Sequence, residues 1–192
     1  MNLFMILFGA AFINNFVLTR FLGLCPYFGV SRKTETAICM GISVTFVMVI
    51  ASSITHPFYT LVLVPNNLAY LQIIVFILTI ASIVQFIEMF LKKFFPVLYS
   101  ALGIFLPLMA TNCAIMGVTL LNVDYGLTYV EALVNSAGAG LGFLLAIVLL
   151  AGVREKCDNN PDIPELFQGF PLAFFSAGLM SIAFMGFQGL IR

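Results

Sequence analysis

Six runs of apolar residues, at about 3–24, 36–56, 68–90, 97–120, 131–152 and 170–190, alternate with short polar connections. A helix that crosses the hydrocarbon core of a bilayer needs ~20 apolar residues, and each run meets that length. The pattern predicts an all-α integral membrane protein with six transmembrane helices, a single polytopic domain over 1–192. Composition agrees. The chain is 62% hydrophobic and 8% charged, with a mean hydropathy of +1.13, whereas a soluble domain carries about 25% charged residues. So few charges cannot cover a surface that faces water, and lipid is the expected solvent. A formal net charge of zero gives no electrostatic footing for nucleic acid. Met1 to Leu7 lacks the basic start of a cleavable signal, so the first segment is expected to stay.

The connections set an orientation. Lys and Arg favour the cytoplasmic side. They occur in the first connection (Arg32, Lys33), the third (Lys92, Lys93) and the fifth (Arg154, Lys156). The second, His56 to Asn67, has neither, and the fourth carries only Asp124 and Glu131. Odd connections are therefore expected in the cytoplasm and both termini outside. Residues 157–169 form a cytoplasmic loop suited to docking.

Two stretches repeat. Leu24-Cys25-Pro26-Tyr27-Phe28-Gly29-Val30-Ser31 and Asn112-Cys113-Ala114-Ile115-Met116-Gly117-Val118-Thr119 share cysteine, glycine, valine and a hydroxyl in register. Cys113 follows Cys25 by 88 positions, close to half of the 192 residues. Similarity at half-length suggests two structural repeats, about 1–93 and 94–192. Each holds three helices. An odd number makes the second repeat enter from the opposite side, so the two are inverted about an axis in the membrane plane.

Segments one and four are the irregular ones. The first carries Asn14, Asn15, Thr19 and Arg20 within its apolar run; the fourth carries Gly103, Pro107, Thr111 and Asn112. Unwound backbone at membrane depth survives only where protein or a water-filled cavity supplies partners. At ~1.5 Å per residue, an unbroken helix would bring Cys25 near the cytoplasmic edge and Cys113 near the outer edge. The inverted axis lets the two sulfurs meet only near the midplane. If they share a ligand, helices 1 and 4 must both be interrupted there.

Thiolates ligate soft metals and iron–sulfur clusters, which makes Cys25 and Cys113 the candidate ligands. A cluster needs four ligands, so two must come from elsewhere. Cys39 and Cys157 lack a repeat partner and read as bystanders, which leaves a second polypeptide as the source. Asn112, Thr111 and the backbone N–H groups freed at the breaks are candidate donors to the sulfurs. Arg20 has two readings: a cation that snorkels to the cytoplasmic interface, or a counter-charge near a reduced cluster. Glu88 and Lys92 have the spacing of a helix-surface ion pair. His56, beside Pro57, is interfacial and too isolated for a metal site. Ser136, Gly138, Gly140 and Gly142 read as a close helix–helix contact, as do Ala177 and Ser181. Thr128 and Glu131 have the spacing of a capping box.

The stretches Asn14-Asn15-Phe16-Val17-Leu18, Phe21-Leu22-Gly23-Leu24-Cys25-Pro26, Gln85-Phe86-Ile87-Glu88-Met89, Leu102-Gly103-Ile104-Phe105-Leu106-Pro107-Leu108, Thr111-Asn112-Cys113-Ala114 and Gly178-Leu179-Met180-Ser181-Ile182-Ala183-Phe184-Met185-Gly186-Phe187 resemble the A-subunit family of the bacterial Rnf electron-transport complex. A related family is the E-subunit family of the sodium-translocating NADH:quinone oxidoreductase. The resemblance runs nearly end to end. It implies six membrane helices and pairing with a homologous membrane protein of opposite topology, the E subunit in Rnf. It further implies one intramembrane [2Fe–2S] cluster, with two cysteines from each chain, here Cys25 and Cys113. The complex it implies passes electrons between ferredoxin and NAD+ and moves Na+ or H+ across the bacterial inner membrane, with the flavin, NAD and ferredoxin sites on other subunits.

A secondary transporter is the rival expectation, since inverted repeats with paired broken helices also describe ion-coupled carriers. Asn14, Asn15, Thr111 and Asn112 would then line a cation path, with no cluster. A purely structural scaffold is a third reading, in which both cysteines tolerate replacement.

Overall fold

Hydrophobic side chains face outward over much of this chain. Ile73, Ile74, Ile77, Leu78, Phe86 and Met89, all on one helix, are exposed, which suits a lipid solvent and would be a liability in water. The computed structural model describes residues 3–13, 15–65, 69–94, 112–158 and 169–188, and the described residues are helical with no strand. In chain order they form α1 (Leu3–Phe8), a π-helical turn (Gly9–Ile13), α2 (Phe16–Arg20), α3 (Leu24–Val30), α4 (Thr34–Phe58), a second π-helical turn (Tyr59–Leu63), a 3-10 turn (Ala69–Leu71), α5 (Gln72–Phe94), α6 (Cys113–Asp124), α7 (Tyr129–Asp158) and α8 (Phe170–Gln188).

Three of these stretches are long and apolar enough to span a membrane: Thr34–Leu63, Gln72–Phe90 and Tyr129–Cys157. Leu3–Ile13, Cys113–Asp124 and Phe170–Gly186 are shorter. The protein is thus a multi-pass helical membrane protein. Segments two, three and five are unbroken, whereas the first is divided. Much of segment four, including Gly103, Pro107 and Thr111, lies outside the described residues, as does Asn14.

The centre is the pairing of α4 with α7. Their facing side chains, Met40, Val44, Val47 and Met48 against Phe143, Ile147 and Leu150, are buried in one apolar cluster. Glycines set the approach. A Cβ at Gly140 would lie 2.6 Å from Thr45 Cγ2. On another face of α7, a Cβ would lie 2.7 Å from the Leu7 carbonyl at Gly138 and 2.9 Å from the Ala11 carbonyl at Gly142. The small-residue reading of segment five therefore holds twice over: one face admits segment one, another admits α4. Two anchors hold segment one in place. Asn15 Nδ2 donates to the Gly142 carbonyl at 2.8 Å, and Ser181 Oγ donates to the Leu18 carbonyl at 2.6 Å. Leu18 lies in the last turn of the short α2, where carbonyls lack helical donors.

Helix ends differ from the sequence reading for local reasons. Pro57 does not stop α4; the chain continues through the π-helical turn at Tyr59–Leu63, a common accommodation of a disturbed ladder. α7 runs on past 152 to Asp158 and so takes Arg154 into the protein. Arg154 is buried, and its Nη1 donates to the Phe28 carbonyl at 3.0 Å and Ser31 Oγ at 2.9 Å. It caps the end of α3 rather than facing water as a loop charge. At the start of α7 the Glu131 carboxylate accepts from the Thr128 N–H (3.1 Å) and hydroxyl (2.7 Å), the reciprocal half of the expected capping box.

Candidate functional site

The break in segment one falls at three residues. Phe21, with φ 56°, ends α2, and Gly23, with φ 84°, precedes α3; both are left-handed. That region is routine for glycine but uncommon for a bulky side chain. A chain that turns this way stops one helix and starts another within the apolar segment, and it frees backbone donors. The Gly23 N–H is one of them. It donates to Cys113 Sγ at 3.0 Å.

This contact joins the two cysteine motifs. Cys25 is in the first turn of α3, two residues beyond the donor to Cys113. Cys113 opens α6, and Asn112 is its N-cap, with extended backbone (φ −73°, ψ 113°) and Oδ1 accepting from the Ala114 N–H at 3.0 Å. Segment four is therefore not one helix through position 112. Close packing locks the join. A Cβ on Gly23 would stand 3.0 Å from Ala114 Cβ and 3.2 Å from Phe143 Cε2, and one on Gly117 would stand 2.8 Å from Leu22 Cδ1.

The two sulfurs have different surroundings. Cys25 is exposed and Cys113 half-buried, and both are free thiols, as are Cys39 and Cys157. Among the described residues no group of three or more His, Cys, Asp or Glu side chains could hold a metal ion. The described residues thus bring forward two sulfurs on adjoining backbone. Asn112 is 3% exposed, and its Nδ2 finds no partner among the described residues. A buried amide donor left open next to a cysteine matches a group that brings extra acceptors.

Other expected participants lie elsewhere. Arg20 Nη2 donates to the Tyr125 hydroxyl at 3.0 Å. Tyr125 follows the last residue of α6, so this contact is at the far end of that helix from Cys113. With Thr19, Tyr125 and Asn135, Arg20 lines a cavity of about 760 Å³ between segment one and α6–α7. The guanidinium thus reaches toward the 125–128 connection. Neither hydroxyl of the repeated motif faces the sulfurs: Ser31 receives Arg154, and Thr119 donates to its own helix at the Met116 carbonyl. His56 Nε2 lies 2.8 Å from the Leu127 carbonyl and its ring meets Tyr129 edge-on, a tie between α4 and the 125–128 connection.

Sequence reasoning missed a polar cluster. Asn122 Nδ2 contacts Ser52 Oγ (3.0 Å) and Ser136 Oγ (2.9 Å), and Asn135 Nδ2 donates to Asn122 Oδ1 at 2.7 Å. Ser52, Asn122 and Ser136 are all buried. The signal was there, since amides inside apolar runs need partners, but no spacing rule links position 52 to 122.

These features define a class: a polytopic helical membrane protein in which a divided apolar segment meets the start of another helix at a cysteine. Comparison with known proteins narrows it. Residues 3–191 match the family model described as "Rnf-Nqr subunit, membrane protein", and the chain belongs to that family. It is 55% identical over 190 residues to the A subunit of the ion-translocating oxidoreductase complex of Syntrophotalea carbinolica, covering 99% of this chain and 98% of that one. It is 52% identical, with the same coverage, to the A subunit of the Na(+)-translocating ferredoxin:NAD(+) oxidoreductase complex of Acetobacterium woodii. Against the A subunit of the ion-translocating oxidoreductase complex of an Escherichia coli strain the identity is 50% over 184 residues, 96% of this chain and 95% of that one.

Proposed function

We propose that this chain is a membrane subunit of an ion-translocating ferredoxin:NAD+ oxidoreductase complex in a bacterial inner membrane. In this reading it holds half of a [2Fe–2S] cluster through Cys25 and Cys113. A homologous membrane protein of opposite topology, the E subunit of such a complex, supplies the other two cysteines. Flavin, NAD and ferredoxin sites belong to further subunits, and no complete active site lies in this chain. Relatives about half identical over nearly full length carry matching names, which supports the complex. Six spans as two inverted repeats, with both termini outside, complete the proposal; the divided first segment and the helix start at Cys113 support it.

The observation that carries the cluster is the 3.0 Å contact between the Gly23 N–H and Cys113 Sγ. It brings together motifs 88 positions apart and leaves two free thiols on adjoining backbone. The donor set fits the group: two thiolates from this chain are half of what a cluster needs, and the exposure of Cys25 leaves room for a partner to complete it. When bound, the cluster supplies one-electron transfer. The chain's own residues hold the sulfurs, present N–H groups to them and exclude water through Leu22, Ala114 and Phe143, whose packing closes around Gly23 and Gly117. Such neighbours tune a cluster's potential.

The carrier reading is weakened at Asn15, whose side chain is committed at both ends, Oδ1 to the Val17 N–H (3.2 Å) and Nδ2 to the Gly142 carbonyl. Asn112 likewise uses its oxygen as a helix cap. The test is iron and acid-labile sulfide analysis, with low-temperature electron paramagnetic resonance (EPR), of the purified complex and of Cys25→Ser and Cys113→Ser. Loss of the [2Fe–2S] signal and of ferredoxin-to-NAD+ electron flow in each variant is expected. Retention of both in the variants overturns the proposal.

A further inference from the structure

We propose that the left-handed turn at Phe21–Gly23 is a potential-setting device, with Gly23 as a positioning residue whose backbone N–H biases the Cys113 sulfur toward the reduced state of the cluster. The inference rests on the cluster reading above and adds which residue sets the potential and at which of the two sulfurs. Three observations carry it. The donor is 3.0 Å from Cys113 Sγ. It reaches that place because φ is 84° at Gly23, and Phe21, a residue that rarely adopts φ 56°, shares the turn. A side chain at 23 is disfavoured twice, by the backbone angle and by tight contact with Ala114 and Phe143. Strained backbone held by its surroundings is a reason to look for function. A hydrogen bond to a sulfur ligand favours the state with more negative charge, and reduction adds an electron, so the bond raises the potential. Cys25 is exposed and has no such donor among the described contacts, so the two sulfurs contributed by this chain are unequal.

Redox titration of the intact, detergent-solubilised complex, followed by the [2Fe–2S] EPR signal, tests this. Gly23→Ala is expected to keep the iron content and to lower the equilibrium constant for reduction on the order of tenfold, about 59 mV for a one-electron couple. Gly23→Ala combined with Ala114→Gly and Phe143→Leu gives the new Cβ room while the unfavourable φ remains. This variant is expected to show the same downward shift, and it serves where the single variant does not assemble. Phe21→Gly relaxes the strain and keeps the turn, so its potential is expected to stay at the wild-type value. A normal signal with an unchanged potential in both Gly23 variants overturns this inference and leaves the cluster reading standing. A wild-type complex with no iron–sulfur signal removes both.

Discussion

Arg154 reaches from the last turns of α7 to Ser31, at the end of α3, with Nη1 2.9 Å from the Ser31 hydroxyl and 3.0 Å from the Phe28 carbonyl. One guanidinium thus fastens the half-helix that carries Cys25 to α7, the longest helix among the described residues. Arg154→Met keeps length and apolar contact but leaves the Phe28 carbonyl and Ser31 without this donor. A buried group left unsatisfied costs about 1–3 kcal/mol. The variant is expected to unfold earlier in a detergent thermal scan, and an unchanged midpoint would show that the tie contributes nothing.

Asn122 links α4, α6 and α7 through Ser52, Asn135 and Ser136. Interhelical polar contacts in membranes average about 0.6 kcal/mol and reach about 1.7. Asn122→Ala removes several at once and is expected near the upper figure, whereas Ser52→Ala is expected near the average. Denaturant unfolding in mixed micelles, with the double variant to give the coupling energy, checks both. Strict additivity would mean that the side chains do not act together.

The glycines of α7 are not equivalent. Gly142→Ala drives a methyl toward the Ala11 carbonyl, while a Cβ at Gly152 meets nothing within 4 Å. Overpacking costs about 1–3 kcal/mol, whereas alanine in place of an exposed helical glycine gains up to about 1 kcal/mol. Opposite signs are therefore expected for Gly142→Ala and Gly152→Ala in the same unfolding assay.

Asn112 has two separable duties, the cap through Oδ1 and an open donor through Nδ2. Asn112→Ser keeps a capping oxygen and loses the amide donor; Asn112→Ala loses both. Cap loss costs about 1 kcal/mol, so only the alanine variant is expected to lose stability. Both are expected to lower the cluster's potential. A potential unmoved in either variant would count against Asn112 as a sulfur neighbour.

Cys39 on α4 and Cys157 on α7 form no metal-holding group with Cys25 and Cys113 among the described residues. Iron per complex is expected to remain at the wild-type level in the Cys39→Ser, Cys157→Ser double variant and to fall in either Cys25→Ser or Cys113→Ser. Loss of iron in the double variant would reassign the ligands.

Much of this was legible in the sequence. Apolar run lengths located α4, α5 and α7, and the polar residues Asn15, Thr19 and Arg20 flagged segment one as irregular. The cysteine motifs pointed to the place where the turn before α3 meets the start of α6. What escaped was tertiary. Arg154 looks like an orientation charge until α7 extends far enough to bury it. Ser31 and Thr119 look like parts of a binding motif because they recur, yet Ser31 accepts from the distant Arg154 and Thr119 donates within its own helix. No spacing rule shows that Arg20 meets Tyr125, just past the end of α6. Backbone N–H groups at the breaks are expected donors, but that Gly23 supplies one to Cys113 follows only from the left-handed turn.

The brevity of α6 has an electrical meaning. Twelve residues, Cys113–Asp124, make about 18 Å of helix, against an oily layer ~30 Å thick. Such a rod cannot reach both shores, and its blunt amino end carries roughly half a unit of positive charge. If the 125–128 connection lies at a membrane surface, that end makes a shallow well for negative charge inside an insulator, a resting place for an electron where the surrounding oil offers none.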